Sequence, residues 1–244
     1  MTGVQLLPVE GMPEVAPGDD LARLILDRCS PRAGDILVVA QKVVSKAEGR
    51  IRRLGEIKPS ARARRLAKKI DHDPRLVQAI LDESARIVRA ERILIVETHE
   101  GYVCANAGVD HSNVPGEDAV SLLPLDCDAS AERLREGIRR LAGVEVGVIV
   151  SDTFGRAWRI GIENVALGVA GAPVFADYRG QLDDHGKEMS VTVVAVADEL
   201  AAAAELVMGK TARVPAVIVR GYHPEGPPGR GRELVRPAEL DLFR

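Results

Sequence analysis

The chain has 244 residues, with 33 Lys plus Arg against 36 Asp plus Glu, a formal net charge of −3, and 46% apolar residues. That balance describes one larger globular domain or two closely joined lobes and excludes a disordered or fibrous chain. One Trp, three Tyr and three Phe, with no excess of positive charge, argue against a surface that stacks single-stranded nucleic acid.

Pro8, Glu10, Pro13 and Glu14 interrupt any apolar leader, so a cytoplasmic chain is expected. Pro17, Gly18, Asp19 and Asp20 mark a turn and helix start, after which Leu21, Leu24, Ile25 and Cys29 share a face. Residues 36–40 form a short apolar run that reads as a buried strand, and Lys42 and Lys46 follow just beyond its end. Residues 50–69 carry nine basic residues and one acidic residue, read as a loop and then a helix from Ser60. Both a solvated face and an anion-facing patch fit that stretch. Asp73 and Pro74 open a helix expected to run to about residue 89, with Leu76, Val77, Ile80, Leu81, Ile87 and Val88 at helical spacing. Residues 93–97 and 102–106 flank His99, Glu100 and Gly101 as a hairpin. A helix over 130–141, with Leu134, Ile138 and Leu141 inward, ends near Gly143. Residues 146–150 form a buried strand that delivers Ser151, Asp152 and Thr153 at its end. The longest run without a charged residue, 164–176, is 13 residues long and holds Gly and Pro, too short for the roughly 30 Å of a bilayer. Residues 190–197 are expected as a central strand, Asp198 as the cap of a helix stopping at Gly209, and 216–219 as a last strand. Cys29, Cys104 and Cys127 lack CxxC spacing and read as reduced core residues. The class is mixed α/β.

No GxxxxGK[ST], GxSxG or HExxH motif occurs, and no Gly-x-Gly-x-x-Gly joins a strand to a helix, so the common phosphate and hydrolase signatures are absent. Three polar clusters remain. In the first, Asn106 and Gly108 precede Asp110, Ser112 and Asn113; oxygen ligands of this type suit magnesium or manganese, and an Asx turn explains them equally well. The second is Asp152 and Thr153 followed by Gly155, Arg156 and Arg159, either a metal carboxylate with anion-gripping guanidiniums or a capped helix with surface arginines. Trp158, in the same stretch, is expected in the core. The third is Lys42 and Lys46 beside Ser45 and Gly49, a phosphate contact or two exposed lysines.

Taken in order, five segments resemble the coenzyme F420:L-glutamate ligase (F420-0:γ-glutamyl ligase) family: residues 7–13, 44–50, 106–113, 151–156 and 196–199. The likeness runs from about Gln5 to Phe243. It implies a two-lobed α/β fold with mixed sheets, one ligase domain over residues 1–244, and an intertwined homodimer. It also implies a GTP-dependent enzyme that adds L-glutamate to the coenzyme F420 precursor and extends the tail, using manganese or magnesium and admitting a potassium ion. By the same resemblance, Asp110 and Asp152 are expected as metal carboxylates with Thr153 beside them, and Lys46 joins the two aspartates in catalysis. Met12, Pro13, Glu14, Val15, Gln41, Lys42, Lys46, Asn113, Met208, Gly209 and Lys210 are expected as nucleotide contacts. Some members carry an acidic metal ligand where this chain has Lys210, which puts a second metal in question. The nitroreductase-like domain fused to some relatives has no counterpart here, so the stand-alone form is expected.

The chemistry matches those residue types: an amide from a carboxylate needs a leaving group, which phosphorylation to an acyl phosphate supplies, and both steps build negative charge. Arg50, Arg52, Arg53, Arg156 and Arg159 are candidates to receive the acidic tail and incoming glutamate, and residues 165–174 are candidates for burial between subunits. The alternative is a related GTP- and metal-dependent amide ligase acting on another carboxylic acid. An RNA-binding module built on residues 50–69 is the rival of a different class, disfavoured by the few aromatics.

Overall fold

A computed structural model describes residues 3–112, 114, 116 and 118–241. In chain order the first elements are β1 (Gln5–Pro8), α1 (Leu21–Leu26), β2 (Ile36–Ala40), α2 (Gln41–Ala47) and β3 (Ile51–Arg53). Next come α3 (Ala61–Ile70), α4 (Pro74–Asp82), β4 (Ser84–Ala90), β5 (Leu94–Thr98), β6 (Val103–Ala105) and β7 (Ala119–Ser121). The chain continues with α5 (Cys127–Ala142), β8 (Gly147–Arg156), β9 (Arg159–Ala170), β10 (Ala176–Asp177), β11 (Val193–Val194), α6 (Val196–Met208) and β12 (Ala216–Arg220).

Five strands in the order β1-β12-β2-β8-β9 make the main sheet, in which only β2 and β8 run parallel. Leu37, Val39, Val148 and Val150 pack with Ile25, Leu134 and Ile138 from α1 and α5 on one face. On the other, Val38, Ile149, Val217 and Val219 meet Leu200, Ala201 and Ala204 of α6. Burial on both faces is why β2 and β12 read as unbroken apolar runs rather than alternating ones. A second core gathers Leu54, Ala63, Ala67, Val77, Ile80, Leu94, Val96 and Val120 from the segment between α2 and α5. Caps set the helix ends: Asp126 accepts a bond from the Ala129 N–H, and Gly143 closes α5 in the left-handed conformation at φ 69°.

The outer edge of β9 is sealed by carboxylates. Glu205, Asp198 and Asp128 accept bonds from the backbone N–H groups of Asn164, Ala166 and Val169 at 3.2, 2.9 and 2.9 Å. An exposed strand edge is a template for unwanted pairing, and these side chains satisfy it within the chain. The start of α5 lies so close to this strand that a Cβ on Gly168 would stand 2.0 Å from the Cys127 carbonyl oxygen.

Several expectations are corrected. The helix from Pro74 ends at Asp82, and Ile87 and Val88 lie in β4, whose antiparallel partner β5 supplies the hydrogen bonds that a helix would have made locally. Residues 190–197 are not a central strand: Val191 is 84% exposed, β11 holds two residues, and α6 already begins at Val196. The centre of the sheet is held by β2, and its edge by β9, a twelve-residue strand that enters the segment expected at a subunit interface. Ala166, Leu167, Val169, Ala170, Ala172 and Val174 are buried within the chain's own cores. Ser151, Asp152 and Thr153 are not at a strand end, because β8 continues to Arg156. Trp158 is 77% exposed at the turn of the β8–β9 hairpin, with φ 59°, rather than in the core. Leu141 is exposed, Asp198 sits inside α6 rather than capping it, and Cys29 is half-buried beyond the end of α1. Among the described residues no helix is long and apolar enough to cross a membrane.

Candidate active site

The site is built where β2 passes directly into α2. Lys42, on the first turn of α2, places its Nζ 2.6 Å from Asp110 Oδ2 and 2.5 Å from Ser112 Oγ. Asp110 reaches this position from a constrained turn. Asn106 and Ala107 both hold positive φ, 54° and 55°, a conformation that costs residues bearing a Cβ and collects at functional sites. Reciprocal backbone bonds with Ser121 then fix Asp110 against β7. Burial pushes the Asp110 carboxyl up, but Lys42 and the Ser112 N–H and hydroxyl outweigh it and hold the group below its ordinary value.

Asp152 has the opposite environment. Burial raises its carboxyl to about 6; the Thr153 backbone bond and the charges of Lys42 and Lys210 pull it down, and the Asp110 charge pushes it up. Asp152 thus feels the charges of Lys42, Asp110 and Lys210, although 110 positions separate it from Lys42 in the chain. Cys104 on β6, raised to about 12 by burial and by the Asp152 charge, stays a neutral thiol.

Strand alternation puts Thr153 on the other face of the hairpin from Asp152. Its hydroxyl donates to Asn164 Oδ1 at 2.6 Å and accepts from Lys210 Nζ at 2.6 Å, while Lys210 also pairs with Glu205. Asn164 and Glu205 escaped sequence reasoning because nothing in their local spacing announces a contact with residues 153 and 210. Arg156 bonds Glu163 and the Ile160 carbonyl, and Arg50 and Arg52 pair with Glu83 and Asp82. Arg50 and Arg52 are thus already paired, whereas the buried Arg156 Nε has no protein partner.

Lys46 is buried, with its Nζ 2.5 Å from Glu14 Oε1. It lines a cavity of about 560 Å³ together with Val15, Pro17, Ile51, Arg53 and Asp118. Glu14 and Val15, from the segment expected to contact nucleotide, therefore meet Lys46 or its cavity. Gln41 is buried and accepts from the Ser45 hydroxyl, but its Nε2 has no protein partner, and neither has the buried Ser151 Oγ. Such orphaned donors are costly and mark places where a ligand or water completes the bonding. Met208 packs in the α6 core, Gly209 ends that helix, and Asn113 lies outside the described residues. A second cavity, about 250 Å³, adjoins the hairpin at Phe154 and Val165 and carries Asp198 and Arg236 on its lining.

The donor set suits a hard divalent ion. Among the described residues no three His, Cys, Asp or Glu side chains gather, yet magnesium and manganese sites commonly use one or two carboxylates and leave the remaining positions to phosphate oxygens and water. Asp110 and Asp152 supply two carboxylates whose charges act on each other, a set compatible with such a site.

The family model described as F420-0:Gamma-glutamyl ligase matches residues 11–221. The chain belongs to that family. Full-length relatives agree: the coenzyme F420:L-glutamate ligase of Methanopyrus kandleri is 47% identical, covering 100% of both chains. That of Methanothermobacter thermautotrophicus is 49% identical over 99% of each, and that of Archaeoglobus fulgidus 47% identical over 99% of this chain and 96% of its own. The protein is therefore a ligase, and the matched region of the F420-0:gamma-glutamyl ligase family includes Lys42, Lys46, Asp110, Asp152, Thr153 and Lys210.

Proposed function

We propose that this ligase forms γ-glutamyl amide bonds, adding L-glutamate to coenzyme F420-0 with GTP and then extending the tail through an acyl phosphate. The observation that carries this reading is the convergence of Lys42, Asp110 and Asp152, with Lys42 one helical turn from the cavity-lining Lys46, in a chain nearly half identical to enzymes named coenzyme F420:L-glutamate ligase. GTP would enter along the Met12–Pro13–Glu14–Val15 segment, with Gln41 Nε2 and Lys46 as donors. The Lys46 ammonium exchanges Glu14 for a phosphate oxygen, and Lys42 shares its charge between Asp110 and the triphosphate. A manganese or magnesium ion bound through Asp110 and Asp152 would offset phosphate charge. The γ-phosphoryl group passes to the acceptor's terminal carboxylate, releasing GDP. The glutamate amine then attacks the acyl carbon, phosphate leaves, and the amine loses its proton. Holding these groups close and neutralising the charge is most of what phosphoryl transfer requires. The Thr153, Asn164 and Glu205 oxygens already hold the Lys210 ammonium and so are not free to take a potassium ion.

Assembly as a homodimer belongs to the same reading. Ile160 is 100% and Ile162 60% exposed near the hairpin tip, with Leu206 and Val191 also solvent-facing, an apolar set suited to a second copy.

The direct test is incubation with F420-0, GTP, manganese and L-glutamate, with products read by mass. Successive gains of one glutamyl unit with GDP release are expected. GDP release only with a different carboxylic acid would move the assignment to another acceptor.

A further inference from the structure

The outward face of α3 carries a charge pattern that the helix itself does not explain. Ala63, Ala67 and Ile70 are buried, while Arg62, Arg64, Arg65, Lys68 and Lys69 are exposed, and the helix contains no acidic residue. Among the described residues none of these five forms an ion pair, in contrast to Arg50 and Arg52 just upstream. Helix α5 shows the usual arrangement: Arg133, Arg135 and Arg139 pair with Glu48, Glu132 and Glu136. On α3 the spacings 62/65, 64/68 and 65/69 set like charges three or four residues apart, which destabilises a helix. Lys68 and Lys69 in the last turn suit the helix dipole, but Arg62, Arg64 and Arg65 stand toward its positive end, where cations are disfavoured. A pattern that opposes the helix's own field leaves its charge open to an external anion.

We propose that this face docks the oligo-γ-glutamyl tail of the acceptor. The inference rests on the ligase reading, because that reaction makes the ligand: each cycle leaves one more free carboxylate on the tail, producing a flexible polyanion. Position is compatible with it: Arg53 lines the large cavity beside Lys46, and α3 begins eight residues further along the chain. The chain as a whole is slightly acidic, so this face is a local feature. Residues 50–70 contain no Phe, Tyr or Trp to stack a base, which favours a polycarboxylate over single-stranded nucleic acid.

The test is fluorescence anisotropy with a labelled tetra-γ-L-glutamate and no GTP, comparing wild type with the triple variant Arg62→Gln, Arg65→Gln, Lys69→Gln. Exposed ion pairs each contribute modestly, so binding roughly tenfold weaker is expected in the variant, and salt should weaken the wild type more than the variant. In turnover, KM should fall with acceptor tail length for wild type and flatten in the variant, with KM for GTP and the rate on tail-free precursor unchanged. Equal affinity of the two proteins, or tighter binding of single-stranded RNA of equal charge, overturns the proposal. Ligation without dependence on tail length refutes the docking face alone. Tail binding lost in the variant without any ligation by wild type supports the docking face and refutes the ligase reading.

Discussion

The two faces of the β8–β9 hairpin differ in how their charges are matched. On one, Asp152 is buried and raised to about 6, with Lys42 already committed to Asp110 at 2.6 Å. On the other, Lys210 is matched by Thr153, Asn164 and Glu205. One face has an electrostatic deficit that a cation would relieve; its opposite is complete. Adjacent residues of one strand thus meet different partners, because alternation turns them to opposite faces, although the Lys210 charge reaches Asp152 as well. The same contrast separates Asp110 from Asp152, both partly buried, one lowered by its partners and the other raised because burial outweighs the Thr153 backbone bond and the lysine charges.

The largest effect is expected from Asp152→Asn, with turnover at saturating manganese falling by at least about 100-fold, against less than about tenfold for Thr153→Ala. Steady-state kinetics on both variants would decide it, and equal losses would erase the distinction between the faces. At the hairpin tip, Ile160→Glu should convert a dimer to monomers, read by light scattering; a monomeric wild type would refute assembly through this surface. A smaller effect distinguishes the carboxylates in metal-free protein. An ionised Asp152 opposes folding, because its folded value of about 6 lies above the ordinary value near 3.9, so its penalty is full above pH 6 and disappears as pH falls toward 4. Asp152→Asn should therefore raise the melting temperature by about 2 °C or more at pH 8 relative to wild type, and the gain should vanish near pH 4. Asp110, with a lowered value, has the opposite sign: its stabilisation is present above its unfolded value and lost as pH falls through the folded one. Thermal melts of Asp110→Asn across the same range should show no gain at pH 8. The smallest change is expected for Lys210→Met, whose ion pair is half exposed on the lysine side, with a loss of no more than about 1 kcal/mol by denaturant unfolding.

Local chemistry was legible where it acts over a few residues. The Asp20 and Ser60 caps, Pro74 at a helix start, Gly143 and Gly209 at helix ends, and the apolar runs of β2 and β12 were read in place. Ile87 and Val88 fit a helical spacing as readily as a strand, and pairing with β5 chose between them. Residues 190–197 carry an apolar signal without a sheet partner, whereas β9, broken in sequence by Gly161, Glu163 and Gly168, has β8 along its length.

The same division runs through the site. The sequence alone determined which residue types stand ready: carboxylates at 110 and 152, lysines at 42, 46 and 210, and a basic stretch over 50–69. Tertiary structure decided their partners, giving Lys42 to Asp110, Lys46 to Glu14 and Lys210 to Thr153, and leaving α3 unpaired. Caps and periodicity depend on neighbours in the chain, whereas charge pairing and burial depend on neighbours in space, which exist only once the strands have found their order.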